Sequence, residues 1–174
     1  MLNNKKIETI INIGKEEYPS LYNELIMIEE NDEFSMMSSL GMYCIYYTKK
    51  LKDARHNKFM YEYLKEEYNL DANILMYNDF LEIFALLHEL GHIYYIDTDE
   101  SINSEELYQE YKEKTYKTYK EAYREYRQLP NEKLADEFAV NIIKRNFLDI
   151  WSVSNEISKD KAKYEYKEWL NWAN

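Results

Sequence analysis

Apolar residues recur along this chain at the three-to-four-residue spacing of a helix more often than at the two-residue spacing of a strand. The first thirty residues follow the helical period with a break near Tyr18-Pro19-Ser20, after which Leu21, Leu25 and Ile28 mark a second stripe. Asn31-Asp32-Glu33 reads as a connection. From Phe34 onward Met37, Leu40, Cys44, Tyr47 and Leu51 repeat at three or four positions and predict another helix. The run Met42-Tyr43-Cys44-Ile45-Tyr46-Tyr47 competes for a strand, because aromatic and β-branched residues suit a pleated surface; the helical reading is preferred. Asp53-Ala54-Arg55-His56-Asn57 interrupts the period before Phe59, Tyr63 and Leu64 resume it.

Asn69-Leu70-Asp71-Ala72-Asn73 reads as a turn and Ile74-Leu75-Met76-Tyr77 as a short strand. A helix then starts at the Asn78-Asp79 cap. Its stripe of Leu81, Phe84 and Leu87 runs into His88 and His92 and ends near Tyr95, so both histidines face the core. Asp97 to Ser104 is polar and irregular. Glu105 to Gln128 predicts one long helix with a seam of Tyr108, Tyr111, Thr115, Tyr119, Ala122 and Tyr126, read as packing against the body. Leu129-Pro130-Asn131 stops it, and Glu132 to about Phe147 forms the next helix. A C-terminal helix occupies residues 152–174, with Ile157, Tyr164, Trp169 and Trp172 as packing residues. The expected fold is predominantly α, α+β at most, with a small β-element before the helix of His88. Residues 1–174 read as one domain: a helical part over 1–70, a central part over 78–147, and the C-terminal helix.

Composition narrows the picture. With 3 Gly and 2 Pro in 174 residues the chain has few breaks, which favours helices joined by short connections. The 19 Tyr, with abundant Lys, Asn and Ile, fit an A/T-rich coding sequence. A net charge of −11 repels phosphate backbones and argues against direct nucleic-acid binding. Cys44 is the single cysteine, so no internal disulfide forms; among Met42, Tyr43 and Ile45 it reads as a buried, inert thiol. The Met1-Leu2-Asn3-Asn4-Lys5-Lys6-Ile7 start lacks a secretory apolar run, and no stretch reaches transmembrane length. A cytoplasmic protein with no membrane association is expected.

His88-Glu89-Leu90-Gly91-His92 carries the chemistry. H-E-x-x-H on a helix projects two histidines from one face, four residues apart, where they can share a zinc ion. Glu89 then reaches a water on that ion as a general base without binding the ion itself. Catalytic zinc usually takes three protein ligands, so a third must exist. Position 98 is Thr98 and position 95 is Tyr95, which excludes a third histidine six residues beyond His92. His56 lies upstream in a polar stretch, leaving a carboxylate. Glu132-Lys133-Leu134-Ala135-Asp136 supplies one, with Glu132 and Asp136 on one helical face that Ala139 and Ile143 continue. The small Ala135 lets this helix approach the first. Glu132 serves as ligand, while Asp136 accepts a hydrogen bond from the second nitrogen of a ligating histidine. The plainer reading of Glu132 is a first-turn acid favoured by the helix dipole. Glu137, Glu105 and Asp97 are the fallback ligands.

Together, His88-Glu89-Leu90-Gly91-His92 and Glu132-Lys133-Leu134-Ala135-Asp136-Glu137-Phe138-Ala139 resemble the ImmA/IrrE family of metallopeptidases, whose signature is H-E-x-x-H followed by E-x-x-A-[ND]-x-F-A. More broadly the chain is similar to gluzincins, a zincin-like class. The resemblance spans about residues 80 to 145. Two features depart from it: a longer stretch between His92 and Glu132, and no proline after Ile142-Ile143-Lys144-Arg145. The resemblance implies a regulatory zinc endopeptidase of prophages, mobile elements or stress regulons, and a protein substrate such as a DNA-binding repressor of the helix-turn-helix type. The acidic surface suits a basic substrate, although solubility accounts for the charge equally well. The donor for the oxyanion stays open among Tyr94, Tyr95, His56 and a tyrosine of the long helix. The alternative is a zinc-stabilised, non-catalytic scaffold that binds a regulator through the Tyr-rich helix.

Overall fold

Helix α1 (Asn4–Glu17) starts at Asn3, whose side chain accepts the Lys6 N–H at 3.0 Å and so caps it. The computed structural model describes residues 2–31, 35–39, 41–48, 54–70, 78–96 and 104–173, without the side chains of 39, 54–56, 78, 104, 105 and 169–173. The chain is mostly helical and carries a small three-stranded sheet. After α1 come a 3-10 turn (Pro19–Asn23), β1 (Leu25–Glu30), β2 (Ser35–Ser39) and β3 (Met42–Tyr47). The helices α2 (Ala54–Tyr68), α3 (Asn78–Tyr95), α4 (Ser104–Glu113), α5 (Tyr119–Arg127), α6 (Pro130–Arg145), α7 (Phe147–Asn155) and α8 (Lys159–Ala173) follow.

The sheet corrects the helical reading of the first seventy residues. Sheet order is β1-β3-β2, with β1 parallel and β2 antiparallel to β3. The competing reading of Met42–Tyr47 is the one realised. Its Ile45 and Tyr47 are buried, and Gly41 at φ +75° makes the reversal from β2 that a side chain would strain. Leu21 is buried in the 3-10 turn that Pro19 opens, but Leu25 is 58% exposed on β1, so the Leu21–Leu25–Ile28 spacing is no helical stripe. Short apolar runs fit either period, and the available partner strand decides. The expected strand at 74–77 lies outside the described residues.

Helix α3 is the centre of the molecule. Phe80, Leu81, Ile83, Phe84, Leu86, Leu87, Leu90 and Ile93 are all at most 5% exposed, so the helix is apolar nearly all round. It packs along α6 and is flanked by α1 and the sheet. The crossing with α6 is tight: a Cβ on Gly91 would lie 2.9 Å from the Ala135 Cα and 3.1 Å from its carbonyl oxygen. A small residue is therefore needed on both helices, and Ala135 meets the expectation for its side.

Two helices replace the long Tyr-rich one. Thr118-Tyr119-Lys120-Glu121 begins a helix, the Thr118 hydroxyl accepting the Glu121 N–H at 3.1 Å, while the Glu121 carboxylate accepts the Lys117 N–H. Thr115, placed on the expected seam, sits in the break between α4 and α5. Pro130 stands in the first turn of α6, which ends at Arg145, and α7 follows after Asn146. The C-terminal segment is likewise split at Glu156, whose φ is 55°. Tyr164 is 64% exposed on α8 and does not pack; Ala162 does. Among the described residues, no helix is long and apolar enough to cross a membrane.

Candidate metal centre

Facing residues of α3 and α6 meet where Gly91 and Ala135 let the backbones approach. One turn of α3 presents His88 and His92, whose Nε2 atoms are 3.0 Å apart. The first turn of α6 presents Glu132: Oε2 lies 3.3 Å from His88 Nε2, and Oε1 lies 3.4 Å from His92 Nε2. These separations match the roughly 3.3 Å between neighbouring donors around a tetrahedral ion with bonds near 2.0–2.1 Å. The three ligand atoms lie within 4.8 Å of one another, the group that could hold a metal ion among the described residues. Two imidazoles and a carboxylate are also a chemically suitable donor set for zinc. The residues present therefore fit the ion.

The surroundings preset this geometry. His88 Nδ1 donates to Asp136 Oδ1 at 2.9 Å, which turns Nε2 toward Glu132 and His92. Asp136 is fully buried. Burial and the Arg127 charge oppose an imidazolium at His88, but the bonds to Asp136 and Glu132 outweigh them and lift its pKa to about 9. Burial alone would raise the Glu132 carboxyl; hydrogen bonds from His88 and His92 instead drive it far below the usual carboxylate range. Glu89 is 8% exposed beside His88 and His92, and burial pushes its carboxyl up against their opposing pull. A carboxylate raised in this way is a proton acceptor of useful strength.

Two groups at this centre were missed in the sequence. Arg127, at the end of α5, is 5% exposed. Its Nε donates to Asp136 Oδ2 at 3.0 Å, its Nη2 donates to Asp136 Oδ1, and its Nη1 donates to Glu132 Oε2 at 3.4 Å. Tyr63 of α2 donates its hydroxyl to Asp136 Oδ2 at 3.1 Å. The Arg127 guanidinium also lies over the rings of Tyr63 and Phe84, at 5.9 and 5.8 Å from their centroids. One signal was present: Tyr123 and Arg127 are four apart, so the arginine shares a helical face with a tyrosine that is buried. The seam through Ala122 and Tyr126 concealed it.

The other candidates separate cleanly. Tyr94 and Tyr95 pack on Phe138, with ring centroids 5.4 and 6.4 Å away, and Tyr94 also meets Tyr18. The side chain of His56 lies outside the described ones, as do Asp97 and the side chain of Glu105. Glu137 is partly buried one position beyond Asp136, outside the group that brings His88, His92 and Glu132 together. Tyr126 of α5 hydrogen-bonds to Glu132; burial first, then the Glu132 charge, push its hydroxyl well above the ordinary range. Its ring stands against Tyr111 and Tyr108, at 5.7 and 6.4 Å. A scan of the chain against family models gives no match, and neither the curated proteins nor the solved structures yield one.

Proposed function

We propose that the chain is a zinc-dependent endopeptidase whose metal is held by His88, His92 and Glu132, with Glu89 as the proton-transfer group. The observation that carries this reading is the convergence of an i, i+4 histidine pair and a carboxylate from a second helix, with an unligated, nearly buried glutamate beside them. A structural zinc site is usually closed by four protein ligands; three leave a position for the reaction. Bound there, zinc would supply a Lewis acid that polarises a carbonyl and brings the pKa of water to about 7.

The residues then divide the work. Glu89 takes the proton of the attacking water and returns it to the leaving amine, as its burial-raised affinity for protons favours. Asp136 holds His88 in the tautomer that leaves Nε2 as the ligand atom. Tyr126, whose hydroxyl is given to Glu132, is the candidate donor to the developing oxyanion in this reading. The substrate in this reading is a protein. A basic one, such as a DNA-binding repressor, suits the net charge of −11.

Metal content and cleavage together test it. Wild-type protein purified without chelator is expected to carry one zinc per chain and to cut a basic repressor-type substrate. Glu89→Gln keeps the zinc and loses the cleavage. A wild-type chain with no zinc defeats the reading. A Glu89→Gln chain that still cleaves defeats the role of Glu89, whereas a wild-type chain that holds zinc without cleaving favours the scaffold alternative.

A further inference from the structure

Arg127 is a buried cation that the hydrolytic chemistry leaves unused. Removing a guanidinium from water is costly unless its donors are matched by acceptors. Here they are matched in a particular way. Nε and Nη2 address the two oxygens of Asp136, and Nη1 addresses Oε2 of Glu132. A lysine could balance the same charge, but only a planar fork reaches two carboxylates through three nitrogens at once.

Each carboxylate already has a task at the metal centre. Asp136 Oδ1 is shared between Arg127 and His88 Nδ1, and Oδ2 between Arg127 and the Tyr63 hydroxyl. Glu132 Oε2 is shared between Arg127 and His88 Nε2. The guanidinium thus ties the metal ligand on α6 to the carboxylate that orients the ligand on α3. Arg127 itself is held: its guanidinium lies over the Tyr63 ring, and the Tyr63 hydroxyl, donated to Asp136, lies 3.4 Å from the Arg127 carbonyl oxygen. Helix α5 is fixed in turn to α2 by Lys120 donating to Glu62 at 2.6 Å and by the Arg124–Glu66 ion pair.

We propose that Arg127 is the positioning residue of the metal centre, fixing Asp136 and Glu132 in the arrangement that receives the ion, and that it makes helix α5 an integral part of that centre. The inference rests on the proposed assignment of His88, His92 and Glu132 as ligands. It gives the Tyr-rich segment a role distinct from both spacer and docking face: this segment delivers the arginine. Its residues from Tyr119 onward therefore share the fate of the metal site.

The test compares wild type, Arg127→Gln and Arg127→Lys for zinc affinity by chelator competition and for the visible spectrum of the cobalt-substituted protein. Circular dichroism identifies the folded variants. Arg127→Gln is expected to bind zinc about 10–100-fold more weakly, the range seen when groups supporting metal ligands are removed, with an altered cobalt spectrum. Arg127→Lys restores only part of the affinity. Wild-type affinity and spectrum in folded Arg127→Gln, or full recovery by lysine, overturns the proposal, since charge or bulk alone would then suffice. Hydrogen exchange on the wild-type chain covers the case in which the variants do not fold. Zinc is expected to slow exchange in α5 more than in α8, and equal slowing overturns the coupling. Failure of the wild type to take up zinc would be a different result, removing the ligand assignment itself.

Discussion

His88 is asked to hold two partners at once, and its protonation depends on which are present. Without metal, burial and Arg127 press its pKa down, yet Asp136 and Glu132 outweigh them and hold it at about 9, above the ordinary 6.5. A raised value stabilises the folded state fully below the unfolded pKa and loses that contribution as pH rises through the folded one. Chelated protein is therefore expected to lose stability between pH 6.5 and 9. A metal ligand must be the neutral ring, so the stabilisation given by zinc should grow over the same window. Denaturant midpoints with and without zinc, at both ends of that window, check the two opposite slopes. Parallel slopes would show that His88 does not exchange its proton for the ion. At Tyr126 the expectation is kinetic: Tyr126→Phe should lower kcat on the order of 10²-fold with little change in KM, as removal of an oxyanion donor does. A change confined to KM would mark a substrate contact instead.

Helices α3 and α6 act as one element because two small residues let them touch. Ala135 was legible as such a residue; Gly91 reads as a mere spacer inside H-E-x-x-H, yet it is the tighter of the two. Alanine in a helix gains about 1 kcal/mol over glycine. At Gly91 the new methyl would meet the Ala135 backbone at 2.9 Å, and backbone cannot rotate away as a side chain can. Overpacking of that kind costs about 1–3 kcal/mol, so the clash wins. Gly91→Ala is expected to be less stable and to bind zinc more weakly, because α6 carries Glu132 outward. A stabilised variant with unchanged zinc affinity would contradict the packing account. The Tyr-rich segment teaches the same lesson at its own scale. Its T-x-x-E signal at Thr118–Glu121 is local, but an apparently unbroken tyrosine period masks it. Deleting 105–128 would remove Tyr126 and Arg127 along with the aromatic surface, so it cannot isolate a docking role.

For the whole molecule, the proposed metal centre draws on four separate helices. His88 and His92 come from α3, Glu132 and Asp136 from α6, Arg127 from α5 and Tyr63 from α2. A ligand that binds only this assembled state stabilises it by about 4 kcal/mol at a thousandfold excess over its Kd. At roughly 2–4 °C per kcal/mol for a chain of this size, zinc should raise the Tm by about 10 °C. A calorimetric scan with chelator against one with zinc measures this, and His92→Ala should abolish the difference. An undiminished shift in that variant would place the ion elsewhere.

By itself the sequence determined the chemistry that local spacing can encode. An i, i+4 pair shares a helical face in any fold, so the pairing of His88 with His92, and of Glu132 with Asp136, was readable from spacing alone. The predominance of helix was readable for the same reason, since a long amphipathic period is a local property. Tertiary structure decided what depends on partners. Met42–Tyr47 carries a pattern compatible with helix or strand, and only β1 and β2 on either side make the strand the better state. In the sequence Arg127 carries only the weak signal of its spacing from Tyr123, because whether Asp136, Glu132 and Tyr63 surround it depends on how α2 and α6 pack against α5. A buried cation is explained by the acceptors that meet it, and those are assembled only when distant helices pack.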